Sequence, residues 1–278
     1  MTQKSKYAIY LIAIQAIITP ASAVFGMQNG CTAQSGATVT PVIELYTSEG
    51  CSSCPPADKW LSTLKAKAFG KETGKEAGNE SAKQGNAVVQ AFHVGYWDYI
   101  GWVDRFATPA HTQRQKQISA WNKQNGIYTP QMVLNGKDWR GWGSAGPFDT
   151  SVTGSKERAR SSISLQQIGV DQFEATVSPV TDPASQTSSA WSAYWTVTEH
   201  GHSSKVKAGE NNGETLLHDF VVRQYTPVGD YAAGALQKLN LRSVAATPGH
   251  ARQINLVVFD PKTGKTIQAV SANCPSSG

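Results

Sequence analysis

The segment Thr47-Ser48-Glu49-Gly50-Cys51-Ser52-Ser53-Cys54-Pro55-Pro56 restricts this chain more than any other. It follows Val42 to Tyr46, a run that reads as a buried strand. It ends in two prolines, which suit the first turn of a helix, where a missing backbone N–H costs nothing. Ala57, Leu61, Leu64 and Ala68 then recur at helical spacing. A Cys-x-x-Cys pair therefore stands at a strand-to-helix junction. A thiol attacks only as thiolate, and a helix N-terminus favours that anion through its free N–H groups and dipole. The expected geometry puts Cys51 at an exposed tip and Cys54 one turn in, under cover. Cys51 would then attack a substrate disulfide and Cys54 would resolve the mixed disulfide. The dipole supplies about 0.3–1 kcal/mol, less than the ~1.4 kcal/mol of one pKa unit, so it does not fix the direction of electron flow.

The surroundings of the pair predict an α/β thioredoxin-like N-terminal domain over 41–160, followed by an all-β, sandwich-like domain over 161–278. From Pro41 to about Arg160 strand and helix signals alternate. Val42 to Tyr46 and Ala87 to Val94 read as buried strands, and Pro109 to Gln124 as a weaker helix with Ile118 and Trp121 inward. Met132 to Leu134 and Trp139 to Trp142 read as a hairpin about Asn135-Gly136, and Asp149 to Arg160 as a closing helix. With Cys-x-x-Cys at the first strand-to-helix junction, this is the element order of a thioredoxin fold. Lys71 to Asn86 is polar and Gly-rich, so 71–86 reads as a flexible insertion. Thr129-Pro130, just before the third expected strand, is a candidate cis-proline site where an extended substrate could pair with backbone.

Beyond Ser161 the signals change to strand-like runs parted by loops: Ile163 to Val180, Trp191 to Glu199, Thr215 to Gln224 and Gln253 to Ser271. A short helix at Tyr231 to Leu239 is the one exception expected, and Asp260 to Gly264 has hairpin-turn composition.

The N-terminus indicates the compartment. Lys4 and Lys6 precede an apolar run from Tyr7 to Ile18, and Ala21-Ser22-Ala23 has the small-x-small form of a signal-peptidase site. Residues 1–23 thus read as a signal peptide and 24–40 as a linker. The apolar run is shorter than the roughly 20 residues of a membrane span, so no stable span is expected after cleavage. The expected location is periplasmic or secreted, where disulfides persist. Removing Lys4 and Lys6 lowers the formal charge from +5 to +3. No block of Lys or Arg forms a stripe, which argues against nucleic-acid binding. Cys31 and Cys274, near the two ends of the mature chain, are a candidate structural disulfide.

VIELYTSEGCSSCPPADKWL, AFHVGYWDYIGWVDRFATP and GIYTPQMVLNGK resemble the signature blocks of a secreted, thioredoxin-like bacterial family of unknown function, and GENNGETLLHDFVVR resembles a block in its C-terminal part. The resemblance implies a thioredoxin-like fold and a thiol–disulfide role, with Cys51 and Cys54 as the active pair and Pro130 as the cis-proline. The chain departs from the family at Gly95, where an Asp is expected, leaving Asp98 as the nearby acid.

The favoured reading is a thiol–disulfide oxidoreductase acting on protein thiols or disulfides with no cofactor. Cys51, Cys54, Thr129 and Pro130 carry the chemistry, and Trp97, Asp98 and Tyr128 are candidates for substrate contact. The alternative is a binding module without turnover: either a partner-docking protein, or a copper carrier in which Cys51, Cys54 and His93 make a soft site for Cu(I). His93 otherwise reads as a partly buried histidine bonded to backbone. In the Gly209 to Arg223 block, His218 and Arg223 are polar candidates for a ligand, but the plainer reading is a turn entering a half-buried strand. Strict alternation there puts His218 on one face with Phe220 and Val222.

Overall fold

The computed structural model describes residues 30–65, 87–144, 156–180 and 190–274. The expected signal peptide and the 71–86 insertion lie outside the described residues. So do 24–29 of the linker and 149–155 of the expected closing helix; residues 156–160 carry no helix, and Arg158 instead bridges to Thr38.

Fourteen strands and two α-helices order the described residues. In chain order they are β1 (Thr32–Gln34), β2 (Val42–Thr47), α1 (Pro55–Ser62), β3 (Val88–His93), α2 (Pro109–Trp121), β4 (Gln131–Leu134) and β5 (Lys137–Asp138). Then come β6 (Ser161–Gly169), β7 (Gln172–Pro179), β8 (Trp191–Glu199), β9 (His202–Lys205), β10 (Thr215–His218), β11 (Val221–Tyr231), β12 (Gln237–Arg242), β13 (Arg252–Phe259) and β14 (Thr266–Asn273).

The expected α/β thioredoxin-like domain is corrected by the sheet order. The strands from the first half do not close a sheet of their own. They form one end of an eight-stranded mixed sheet, β14-β13-β8-β11-β3-β2-β4-β5, that runs into the second half of the chain. The architecture is predominantly β and sandwich-like. A four-stranded sheet, β1-β6-β7-β12, lies against the β8, β13 and β14 part of the large one, and the two share a core of Ile163, Phe173, Trp195, Leu241, Ile254 and Val270. Two other expectations change as well. Arg140–Ser144 is a 3-10 turn after the two-residue β5, and Tyr231 and Gln237 belong to strands rather than to a short helix.

Local chemistry explains the two helices. Both prolines fall in the first turn of α1, and its Ala57 and Leu61 pack on Ile43, Leu45 and Val89. In α2, Thr108 Oγ1 caps the helix by accepting from His111 N, and Pro109 takes the first turn. The inward stripe of α2 is mostly polar: His111, Arg114 and Gln115 accompany Ile118. The helices cover opposite faces of β2 and β3, so all six residues of each strand are buried.

The polar stripe of α2 is accounted for by one buried network. Arg114 Nη2 and Nε donate to the two oxygens of Glu44 at 2.8 and 3.3 Å. Tyr46 and Tyr194 hydroxyls donate to the same carboxylate at 2.5 and 3.1 Å. Gln90 donates from Nε2 to Tyr194 Oη and accepts at Oε1 from the Thr196 hydroxyl. Side chains from β2, β8 and α2 thus meet on one carboxylate, and β3 joins the network through Gln90. A disulfide joins Cys31, beside β1, to Cys274, after β14, and so ties the two sheets across 243 residues of sequence.

Removing one member of a buried ion pair leaves the other charge uncompensated. Arg114→Met is therefore expected to cost about 3–5 kcal/mol in urea unfolding. Glu44→Leu combined with Arg114→Met should recover much of that loss, a coupling that a double-mutant cycle measures directly.

Candidate active site at the Cys51–Cys54 pair

β2 and β3 run parallel with Thr47 beside His93, and β4 runs antiparallel to β2 with Gln131 beside Tyr46. The C-terminal ends of β2 and β3 and the start of β4 therefore share one edge, and the loops leaving that edge build the site. Cys51 and Cys54 are joined as a disulfide, with Cys54 as the N-cap residue of α1. Cys51 Sγ lies 3.4 Å from Ser53 Oγ. The Thr129–Pro130 bond is cis, and Thr129 reaches the same region because Trp97 Nε1 donates to its hydroxyl at 2.8 Å. Trp97 in turn packs on Gly50, where an added Cβ would stand 2.9 Å from the Trp97 Cβ; the close approach requires glycine.

The exposed tip expected for Cys51 is corrected. Cys51 is 1% exposed and Cys54 0%, while Ser52 and Ser53 between them face solvent. The cover comes from the second half of the chain, in the 206–214 loop that joins β9 and β10. Asn211 Nδ2 donates to Glu49 O at 2.8 Å and to Cys51 O at 3.0 Å, and Ser52 N donates to Glu210 Oε2 at 2.9 Å. Gly209 has a φ of +74° and sits against Ile100 and Trp102, so the cover also seals the loop after β3.

Beneath the pair lies a cluster of buried ionisable side chains. His93 Nδ1 is 2.7 Å from Asp104 Oδ2, and Asp104 also accepts from Glu49 N and Phe106 N at 2.9 Å each. His218 Nε2 lies 3.2 Å from Glu49 Oε1, and Trp102 Nε1 donates to Glu49 Oε2 at 2.7 Å. Asp58, one turn past Cys54 on α1, accepts from Thr47 Oγ1 at 2.9 Å. Burial pushes the Asp104 carboxyl up, but the His93 imidazole and the two backbone donors outweigh it and hold it at about 2. Burial pulls His93 down, and the Asp104 carboxylate more than reverses this, so His93 sits above the ordinary histidine value. Asp58 is raised, mainly by burial. Glu49 is lowered: burial opposes the shift, and the hydrogen bond from His218 is the largest effect behind it.

The sequence candidates divide accordingly. Cys51, Cys54, Trp97, Thr129 and Pro130 come together. Asp98 opens a 3-10 turn and accepts from Asp104 N at 3.2 Å, a brace for the loop. Its Oδ2 would stand 3.2 Å from a Cβ at Gly95, so the small residue there leaves it room. Tyr128 points to the edge strand instead: its hydroxyl donates to Asp138 at 2.7 Å, and burial with that carboxylate pushes the phenol up to about 12. His93 is held by a carboxylate rather than by backbone, and the two sulfurs it would join in a copper site are paired to each other. Arg223 points elsewhere, to Glu199 at 2.9 Å. Asp58, Asp104 and Asn211 escape the sequence reading, and His218 reads there as part of a plain strand. Two of these had a readable signal: Asp58 follows Cys54 by four residues, on the same helix face, and His218 alternates with buried Phe220 and Val222.

Fold and site together define a disulfide-bearing, predominantly β protein whose Cys-x-x-Cys pair is covered by a hairpin from its own C-terminal half. The chain belongs to DUF1223, a family of proteins of unknown function, whose pattern matches residues 42–259. Its fold is similar to that of a structural-genomics protein from Agrobacterium tumefaciens, at 22% identity and a TM-score of 0.59 over 88% of this chain and 98% of the other. It is also similar to HBP35 of Porphyromonas gingivalis, at 14% identity and a TM-score of 0.55 over 88% of this chain and 79% of that one. No curated protein matches it. Two disulfides point to an oxidising environment outside the cytoplasm. Among the described residues no helix is long and apolar enough to cross a membrane.

The chain leading into β11 carries its own pH sensitivity. His200 accepts from Phe220 N at Nδ1, 3.3 Å away, and its Nε2 faces Gln253 Oε1 at 3.2 Å. Asp219, paired with Lys65, stands 3.9 Å off, and His202 lies close by. Burial lowers His200 from 6.5 to about 4, against the pull of Asp219. A folded-state value below the unfolded one gives stability that is fully present above about pH 6.5 and is lost as pH falls towards 4. That loss amounts to at most about 3 kcal/mol. His200→Asn, whose amide oxygen replaces Nδ1 as acceptor, is expected to flatten this part of the curve in urea unfolding measured from pH 7 to pH 4.

Proposed function

We propose that this protein is an extracytoplasmic, periplasmic or secreted thiol–disulfide oxidoreductase whose partners are protein thiols and disulfides. The observation that carries the reading is the Cys51–Cys54 disulfide at the start of α1, on the sheet edge where Thr129–Pro130 and Trp97 converge. In the oxidising direction a substrate thiolate attacks Cys51 Sγ and forms a new S–S bond. The Cys51–Cys54 bond breaks, and Cys54 leaves as thiolate at the helix N-terminus, where the dipole favours it by about 0.3–1 kcal/mol. A second substrate thiolate attacks the substrate sulfur of the mixed disulfide and releases Cys51. The substrate loses two electrons and the pair gains them; with the pair reduced, the same steps run in reverse.

Attack on Cys51 requires the 206–214 cover to move. Two hydrogen bonds from the buried Asn211 side chain hold it to the cysteine loop, each worth about 0.5–1.5 kcal/mol, and Ser52 N adds a third to the exposed Glu210. Opening is therefore a low-cost local event of the kind expected of a gated site.

Two measurements test this. Insulin reduction, or the rearrangement of a scrambled disulfide substrate, should proceed with the wild type and stop with Cys51→Ser; equal rates for the two would end the reading. Asn211→Ala, which removes two cover bonds, should speed reduction of the pair by a small-molecule thiol at least about fivefold. Mass mapping of alkylated cysteines follows that rate.

A further inference from the structure

The buried cluster behind the cysteines has donor atoms that disulfide exchange does not use. One nitrogen from each of His93 and His218 and one oxygen of Asp58 lie within 4.8 Å of one another, and all three side chains are buried. They come from three separate elements: α1, β3 and β10. His93 turns Nδ1 to Asp104, leaving Nε2 without a hydrogen-bond partner. His218 Nε2 stands 3.2 Å from Glu49 Oε1, but neither His218 nitrogen makes a hydrogen bond among the described residues. Each imidazole thus has one nitrogen near a carboxylate and at least one that is unsatisfied in the protein interior. A buried polar atom without a partner costs on the order of 1–3 kcal/mol, so three on two neighbouring imidazoles need a reason. A carboxylate behind a histidine is also the arrangement that fixes the tautomer and orientation of a metal-ligating imidazole.

We propose that Asp58, His93 and His218 form a binding site for one divalent transition-metal ion of the zinc class, with Asp104 and Glu49 orienting the two histidines. An ion between donors so spaced stands within about 0.7 Å of zinc–ligand bonding distance. Two imidazoles and one carboxylate are a zinc-type set of three protein ligands with a fourth position open. Calcium and magnesium take oxygen ligands, and Cu(I) favours sulfur ligands, which this donor set lacks. The site does not depend on the redox reading. His218 belongs to the β9–β10 hairpin whose loop covers Cys51, so the ion would also pin that cover in place.

The probes are Zn²⁺ and, for its visible spectrum, Co²⁺, added at pH 7.5 to the full chain with both disulfides intact. One Zn²⁺ per chain should survive dialysis, and the Co²⁺ complex should show d–d bands without thiolate-to-cobalt charge transfer. His93→Gln and His218→Gln should each weaken binding at least about tenfold. His250→Gln, in the stacked His202–His250 pair, should leave it unchanged. Near-UV circular dichroism of the metal-free variants separates loss of a ligand from loss of the fold. Imidazole NMR of the wild type adds a readout without mutation: Zn²⁺ should shift two of the six histidines. The proposal is overturned if the wild type retains no metal, if capture requires reduced cysteines, or if His250→Gln abolishes binding while His218→Gln spares it.

Discussion

One line of parallel pairing holds the cysteine end together. Ala91 N donates to Phe220 O at 2.8 Å, and Val221 stands beside Ala91 as β11 joins the edge of β3. Without that seam β3 would be an edge strand with unpaired backbone groups, an exposed template for other chains. With it, strands more than a hundred residues apart share a sheet. The approach to the seam also delivers the hairpin that covers Cys51. Phe220 makes the turn at a φ of +57°, a left-handed conformation that costs a bulky residue of order 1–2 kcal/mol. Its ring is fully buried among Ile43, Ala91 and Met132, and this packing holds it there.

The burial of Cys51 follows from this topology. The first half of the chain supplies the disulfide, the helix start and the proline; the second supplies Asn211 and Glu210, which close over them. Because the cover hangs from a short two-stranded hairpin, β9–β10, rather than from the large sheet, it can open without loss of the core. The same hairpin brings His218 against His93, with ring centroids 4.8 Å apart. The loop over the sulfur and one member of the histidine cluster thus belong to the same hairpin.

Much of the local structure was legible. The buried runs Val42 to Tyr46 and Ala87 to Val94, the Pro-Pro helix start and the hairpin compositions each stand near the element they announced, because these signals act over a few residues. The thioredoxin-like expectation failed one level up. A mostly apolar strand reports that both faces are covered but says nothing about which strand takes its edge, and β11 joins that of β3. The helix α2 was hard to read for a related reason: its inward residues His111, Arg114 and Gln115 look solvent-facing until Glu44 and the Gln131 side chain are seen to meet them.

By itself the sequence determined a cysteine pair at a strand-to-helix junction and a β-rich second half, since turn chemistry, helix starts and apolar periodicity are written in near neighbours. Only the tertiary structure decided that Cys51 is covered, that Asp104 and Glu49 back His93 and His218, and that both halves share one sheet. Those outcomes come from contacts between residues more than 160 positions apart, where distance along the chain carries no information about distance in space.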